Sequence, residues 1–229
     1  MNKVKKDVFE ALSKVQSKDT ILCGGFGLIG APLSLIEGLT QMDVNQLTVV
    51  SNNLGEEGRG LGKLLNQGKI AKGIGSYFTS NRDVGAAYKR GEIELELSPQ
   101  GTLSERMKAA GAGIPAFYTS TAQGTDLAKG KEERDFNGKK YIMETALYGD
   151  VALIRAHKAD TLGNLVYYKT ARNFNPIMAT AAKYVIAEVD EIVEPGQLDP
   201  EAIVTPHLFV DAIVKATHIL TNEGVVIHE

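Results

Sequence analysis

Residues 20–32 read TILCGGFGLIGAP, a short apolar run that breaks into four glycines and then a proline. Thr20, Ile21, Leu22 and Cys23 have the character of a buried strand. Pro32 suits the first turn of a helix continuing as LSLIEGL. Gly25, Gly27 and Gly30 have the G-x-G-x-x-G spacing of a nucleotide-binding turn between a strand and a helix. Such a turn lets backbone N–H groups and a helix N-terminus approach an anion or a polarised oxygen.

Working outward, the same alternation repeats. Leu47, Thr48, Val49 and Val50 form a second strand that runs into the polar turn SNNLGEEGRG. A helix near GLGKLLNQG and an apolar segment at KIAKGIGSYF make a third unit. EIELELS (92–98) alternates strictly, as a half-exposed strand does. The helix TLSERMKAAG then places Thr102 and Glu105 at capping-box spacing. Residues 118–140 are polar and Gly-rich, with an Asn137-Gly138 step suited to a hairpin. Strands are predicted at 151–156 and 184–189, a helix at 176–182 between them, and an amphipathic helix at 208–220 near the C-terminus. At the N-terminus, Val4, Val8, Leu12 and Val15 recur at helical spacing. Strands alternating with helices predict an α/β fold, an open and mainly parallel sheet with helices on both faces. The absence of repeats and low-complexity linkers predicts one domain over residues 1–229.

The composition narrows the function classes. The chain has 229 residues, 43% of them hydrophobic and 23% charged, and a net charge of −3. No basic field attracts nucleic acid or anionic lipid. No apolar run reaches the roughly 20 residues of a membrane helix, and the charged N-terminus lacks the apolar core of a signal peptide. A single cysteine, Cys23, cannot form an internal disulfide and fits a reducing compartment. A cytoplasmic location is expected.

The glycine run admits three readings. A dinucleotide site needs an acid at the end of the next strand to hold the ribose. That strand ends in Ser51-Asn52-Asn53, and Asp43 precedes it. An NAD-linked oxidoreductase is therefore the rival reading. The glycines alternatively serve only tight packing, or they present backbone donors to a substrate. Neutral polar clusters at SNN (51–53), SPQG (98–101) and TLGNL (161–165) lie at predicted strand ends, where open α/β sheets place their ligands. Gln100 suits either an amide aimed at a carboxylate or acyl oxygen, or a turn residue. His157, His207, His218 and His228 are isolated, so no metal site is predicted. Ser34 and Ser104 lack a nucleophile-elbow context, and Cys23 reads as a core residue. GKEERD (130–135) reads as a solvated charged turn. Glu144 is open to a catalytic or a structural role.

GGFGLIGAP resembles the G-G-F-x-x-x-G-x-P signature of family I CoA-transferases, in their A (alpha) subunit or N-terminal half. ELSPQGTLSERMKAAGAGIPAFYTSTAQGT, FNGKKYIMETAL, LGNLVYYKTARNFNPIMATAA and EVDEIVEPGQLDP are similar to the same subunit. They run in order from about residue 19 to 215, and GAGIPAFYTSTAQGT points to the 3-oxoacid branch. Ser17-Lys18-Asp19 departs from the family's usual Asp-Gly.

The resemblance implies a fold shared with ribose-phosphate isomerases and glucosamine-phosphate deaminases. It implies transfer of CoA from succinyl-CoA or acetyl-CoA to a 3-oxoacid such as acetoacetate, through a glutamyl-CoA thioester. The nucleophilic glutamate belongs to the family's B subunit, in an S-E-N-G type motif that this sequence lacks. Implied partners are therefore a B subunit, in a hetero-oligomer such as α2β2, together with small carboxylic acids and acyl-CoA. Coenzyme A enters as substrate, with no tightly bound cofactor. The implied CoA-contacting residues are Gly24, Gly25, Phe26, Gly27, Leu28, Ile29 and Gly30. Gln100 is the implied ligand of the substrate carboxylate or thioester oxygen, and Asn52 and Asn53 are secondary candidates. A CoA-ester binding module without catalysis is the remaining alternative.

Overall fold

The computed structural model of the chain describes residues 2–221 and 224–227. Helix α1 (Val8–Leu12) leads into β1 (Thr20–Cys23), α2 (Leu33–Gln41), β2 (Leu47–Val50), α3 (Leu61–Asn66) and β3 (Ile70–Gly75). Next come α4 (Arg82–Lys89), β4 (Glu94–Leu97) and α5 (Gln100–Gly111). The strands β5 (Ala116–Thr119), β6 (Glu133–Phe136) and β7 (Lys139–Thr145) form a separate antiparallel sheet in the order β5-β7-β6. The chain returns through β8 (Gly149–Asp160), β9 (Leu165–Val166), α6 (Asn175–Thr180), β10 (Ala182–Val193) and β11 (Ala212–Lys215). The hairpin β12 (His218–Thr221) and β13 (Gly224–Ile227) follows.

The main sheet has the order β11-β10-β8-β1-β2-β3-β4, with β9 paired antiparallel to β8. Neighbours along that order are parallel. Alternate strand residues feed opposite faces, as the two-residue strand period requires. Ile21, Val49 and Leu153 pack with α1 to α4 on one side. Leu22, Val50 and Ile154 pack with α5 and α6 on the other. The open, mainly parallel sheet with helices on both faces is the architecture expected.

Several local expectations need correction. Residues 208–220 are not a helix: a 3₁₀ turn at His207–Phe209 precedes β11, and His218 begins β12. Ala212, Ile213, Val214 and Lys215 pair instead with Ile186, Ala187, Glu188 and Val189 of β10. Ladder pairing and β-branched side chains outweigh the helical spacing there. The capping box is absent, because α5 begins at Gln100 and its N-cap Pro99 makes no side-chain cap, leaving Thr102 buried inside the first turn. The N-terminal helix is shorter than its pattern, since Asp7 caps it and Val4 instead bridges Ile213 in parallel. GKEERD runs into β6, and α4, which is not among the predicted helices, is capped by Asn81 and buries Val84 and Ala87 at helical spacing. The Asn137-Gly138 step does turn the β6–β7 hairpin, with φ of 55° and 77° as a type I′ turn demands. His228 lies outside the described residues.

Candidate functional site

The strand order reverses at β1. The chain proceeds outward through β2, β3 and β4, then crosses to β8 on the other side of β1. Open α/β sheets form a crevice at the carboxyl end of the strands where the order reverses. The residues that leave β1 at that point are Gly24 to Gly30.

The loop is a miniature hairpin. Phe26 N–H donates to Ile29 O at 2.9 Å, and Ile29 N–H donates back to Phe26 O at 3.2 Å. Gly27 takes φ +60° at the first central position of this two-residue turn, where glycine is the favoured residue. Gly24 N–H is held by Leu153 O at 2.9 Å and Gly25 N–H by Asn173 Oδ1 at 3.1 Å. Among the described residues, the N–H groups of Gly27, Leu28 and Gly30 have no acceptor. Phe26 and Ile29 are about half exposed, while Leu28 is buried. Packing accounts for Gly30: a Cβ there would stand 2.6 Å from Ala171 O and from Asn173 Nδ2. Packing therefore accounts for Gly30, and the N–H groups without an internal acceptor are those the donor reading requires.

Gln100 is brought to the loop. It shares a cleft with Phe26, Gly101, Ser104, Asn173, Phe174 and Ile177, a lining without a charged side chain. Gln100 opens α5, whose N-terminus directs partial positive charge into the cleft. Asn52, buried at the end of β2, donates from Nδ2 to Gln100 Oε1 at 3.3 Å and to Ser76 Oγ at 3.0 Å. With Oε1 engaged by Asn52, the donor capacity left to the Gln100 amide is its N–H₂ group. Asn53 is directed elsewhere, accepting from Gly55 N–H and donating to Ser80. The TLGNL cluster is also not part of the cleft. Asp160 gathers the N–H groups of Leu162, Gly163 and Asn164 on one carboxylate oxygen, which makes it a turn anchor.

The other candidates are structural. Glu144 is buried and ion-paired to Lys131. Cys23 is fully buried, and burial with the charge of Glu188 pushes its thiol far up, so it stays a protonated core residue. Four residues were not singled out by the sequence reading: Asn173, Asn175, Arg155 and Glu188. Asn173 also donates to Ile29 O at 2.9 Å. Asn175 donates to Gly30 O at 3.0 Å and accepts from Arg155 N–H at 2.9 Å. Glu188 is wholly buried on β10, register-paired with Arg155 of β8, and ion-paired to its guanidinium. Burial raises the Glu188 carboxyl above its ordinary value, opposed by Arg155 and by N–H groups of α2. A sequence signal for this pair existed: a single charge inside each of two apolar strands, VALIRA and YVIAEV, calls for a buried partner.

A family model described as Coenzyme A transferase matches residues 5–216. The chain is 53% identical over 215 residues to the A subunit of succinyl-CoA:3-ketoacid coenzyme A transferase of Helicobacter pylori strain J99, covering 94% of this chain and 93% of that one. It is 47% identical over 219 residues to the A subunit of 3-oxoadipate CoA-transferase of Pseudomonas putida, covering 95% of each. Among solved structures, an acyl-CoA transferase of Escherichia coli O157:H7 in thioester complex with CoA superposes with TM-score 0.82 at 20% identity. The match covers 94% of this chain and 47% of that one, so this chain spans about half its length. Glutaconate coenzyme A-transferase of Acidaminococcus fermentans superposes with TM-score 0.81 at 23% identity, over 93% and 75% of the two chains.

Proposed function

This chain belongs to the coenzyme A transferase family, as the A subunit of a two-subunit enzyme, and we propose that the enzyme moves CoA from succinyl-CoA or acetyl-CoA to a 3-oxoacid such as acetoacetate. The curated relatives named for succinyl-CoA with a 3-ketoacid, and for 3-oxoadipate, support a 3-oxoacid acceptor. The observation that carries the reading is the joining of Phe26 of the glycine hairpin and Gln100 in one neutral cleft at the switch point, with the buried Asn52 holding Gln100.

The chemistry fits a neutral donor set. In acyl transfer the thioester carbonyl becomes a tetrahedral oxyanion, and a well-placed N–H donor is worth about 3 kcal/mol to that state. We read the Gln100 amide as one such donor and the unspent N–H of Gly27, next in the chain to the cleft-lining Phe26, as a second. Neither carries a charge that would repel or trap a carboxylate substrate. In this reading the attacking carboxylate is a glutamate of the B subunit. It displaces CoA as thiolate, forming a mixed anhydride. The thiolate then attacks the glutamyl carbonyl, releases the first acid and leaves a glutamyl-CoA thioester. The acceptor carboxylate takes CoA by the reverse sequence. Coenzyme A is thus a substrate, and a hetero-oligomer such as α2β2 completes the site.

The glycine spacing is the single feature offered for NAD binding, and its surroundings do not support it. Where a ribose-binding acid would stand, β2 ends in the buried neutral residues Ser51, Asn52 and Asn53, and Asn52 is committed to Gln100 and Ser76. Among the described residues, no helix is long and apolar enough to cross a membrane, and the composition supports a cytoplasmic enzyme.

The test is reconstitution. The chain is copurified with its B subunit, the complex weighed by native mass spectrometry, and exchange of CoA between succinate or acetate and acetoacetate is measured. Transfer by the complex supports the proposal. A complex that binds CoA esters without exchanging them would indicate a binding module.

A further inference from the structure

Helix α2 begins two residues after the glycine hairpin, yet nothing local caps it. Its N-cap Pro32 has no side-chain acceptor, and its first turn carries no acid. The acceptor comes from the middle of the sheet: Glu188 Oε2 receives Ser34 N–H at 2.8 Å and Leu35 N–H at 3.0 Å. The other Glu188 oxygen is held by Arg155, whose second guanidinium nitrogen pairs with Asp190. Arg155 also reaches the other side of the hairpin, because its backbone N–H donates to Asn175 and Asn175 in turn donates to Gly30 O. The ion pair thus braces the helix that follows the hairpin, while the backbone of the same Arg155, through Asn175, braces the carbonyl of Gly30.

We propose that Glu188 is a positioning residue for the coenzyme A transferase reaction, fixing the glycine hairpin against β8 and β10 by capping α2 from the sheet. A buried carboxylate is costly unless it is paired and hydrogen-bonded. Mere stability would be served as well by apolar residues at 155 and 188, because replacing a buried ion pair by packed hydrophobic groups is often neutral. What apolar residues do not supply is an acceptor for the two α2 N–H groups. The pair therefore sets where the hairpin stands.

The kinetic arm of the test rests on the transferase reading, and the exchange arm does not. Amide hydrogen exchange is measured on the complex with the B subunit for the wild-type chain, Glu188→Gln and the double variant Arg155→Met/Glu188→Leu. The double variant leaves no lone buried charge at the pair. Residues 24–35 are expected to exchange about tenfold faster in the double variant and less so in Glu188→Gln, which keeps one carbonyl oxygen, while β8 and β10 stay protected. In the transfer assay kcat is expected to fall by about tenfold or more in the double variant with KM for the acyl-CoA little changed, since the hairpin donors act in the transition state. Wild-type protection of residues 24–35 in the double variant, or a loss spread evenly over the whole sheet, overturns the inference. An inactive wild-type complex would instead count against the transferase reading and leave the exchange result standing.

Discussion

Gln100 carries the clearest consequence at the scale of single residues. Its Oε1 is occupied by Asn52, so the donor that Gln100 has to offer the cleft shared with Phe26 is its N–H₂. Gln100→Ala in the reconstituted complex is expected to lower kcat by about a hundredfold or more, the value of one oxyanion donor; near wild-type kinetics would reduce Gln100 to a turn residue. Two glycines of the hairpin separate packing from conformation. At Gly30 an added Cβ meets a backbone carbonyl at 2.6 Å with φ +73°, whereas at Gly27 it meets nothing within 4 Å with φ +60°. Gly30→Ala is expected to cost about 3 kcal/mol, combining overpacking with backbone strain, and Gly27→Ala about 1–2 kcal/mol from strain alone. Urea unfolding of the two variants measures the difference, and equal losses would contradict the packing role of Gly30.

Among the elements, β4 and α5 are tied by charge. Glu96 of β4 is bridged to Lys72 of β3 and to Arg106 of α5, whose guanidinium is largely buried. Burial alone would raise the Glu96 carboxyl, but hydrogen bonds from Lys72 and Arg106 together hold it below its ordinary value of 4.5. A depressed carboxyl contributes stability that is present above the unfolded value and lost as pH falls through the folded one. The Tm difference between the wild-type chain and Glu96→Gln is therefore expected to be constant near neutral pH and to shrink below about pH 4.5. A difference that widens on acidification would contradict this role. The 208–220 segment teaches a separate point about elements. Its apolar residues fit a helical stripe, but Ile213 and Val214 complete the ladder beside β10, and a ladder partner is invisible to local spacing.

For the whole molecule, the reversal of strand order at β1 puts the glycine hairpin, the end of β2 and the start of α5 at one end of the sheet. The cleft they form is neutral, and the buried carboxylates Glu144, Asp160 and Glu188 are all spent on internal partners. The isolated chain is accordingly expected to show no CoA transfer, with activity appearing on addition of the B subunit; transfer by the chain alone would contradict the divided site.

The strand–glycine–helix punctuation, the strict alternation of residues 92–98 and the neutral ends of the strands are local properties, so the sequence by itself determined the α/β class. The ordered family motifs likewise determined the resemblance to the family's alpha chain, and Gln100 was legible from its place after a strand. Tertiary structure decided the partners. It joined Asn52 to Gln100 across 48 residues and Glu188 to Ser34 across 154. It also sent Asn53 to Ser80 and Gly55 while Asn52 holds Gln100, and spent Gly25, Phe26 and Ile29 N–H on internal acceptors. The physical reason is that a buried hydrogen bond is chosen by proximity in the folded chain, and strand order, which no local pattern encodes, sets that proximity.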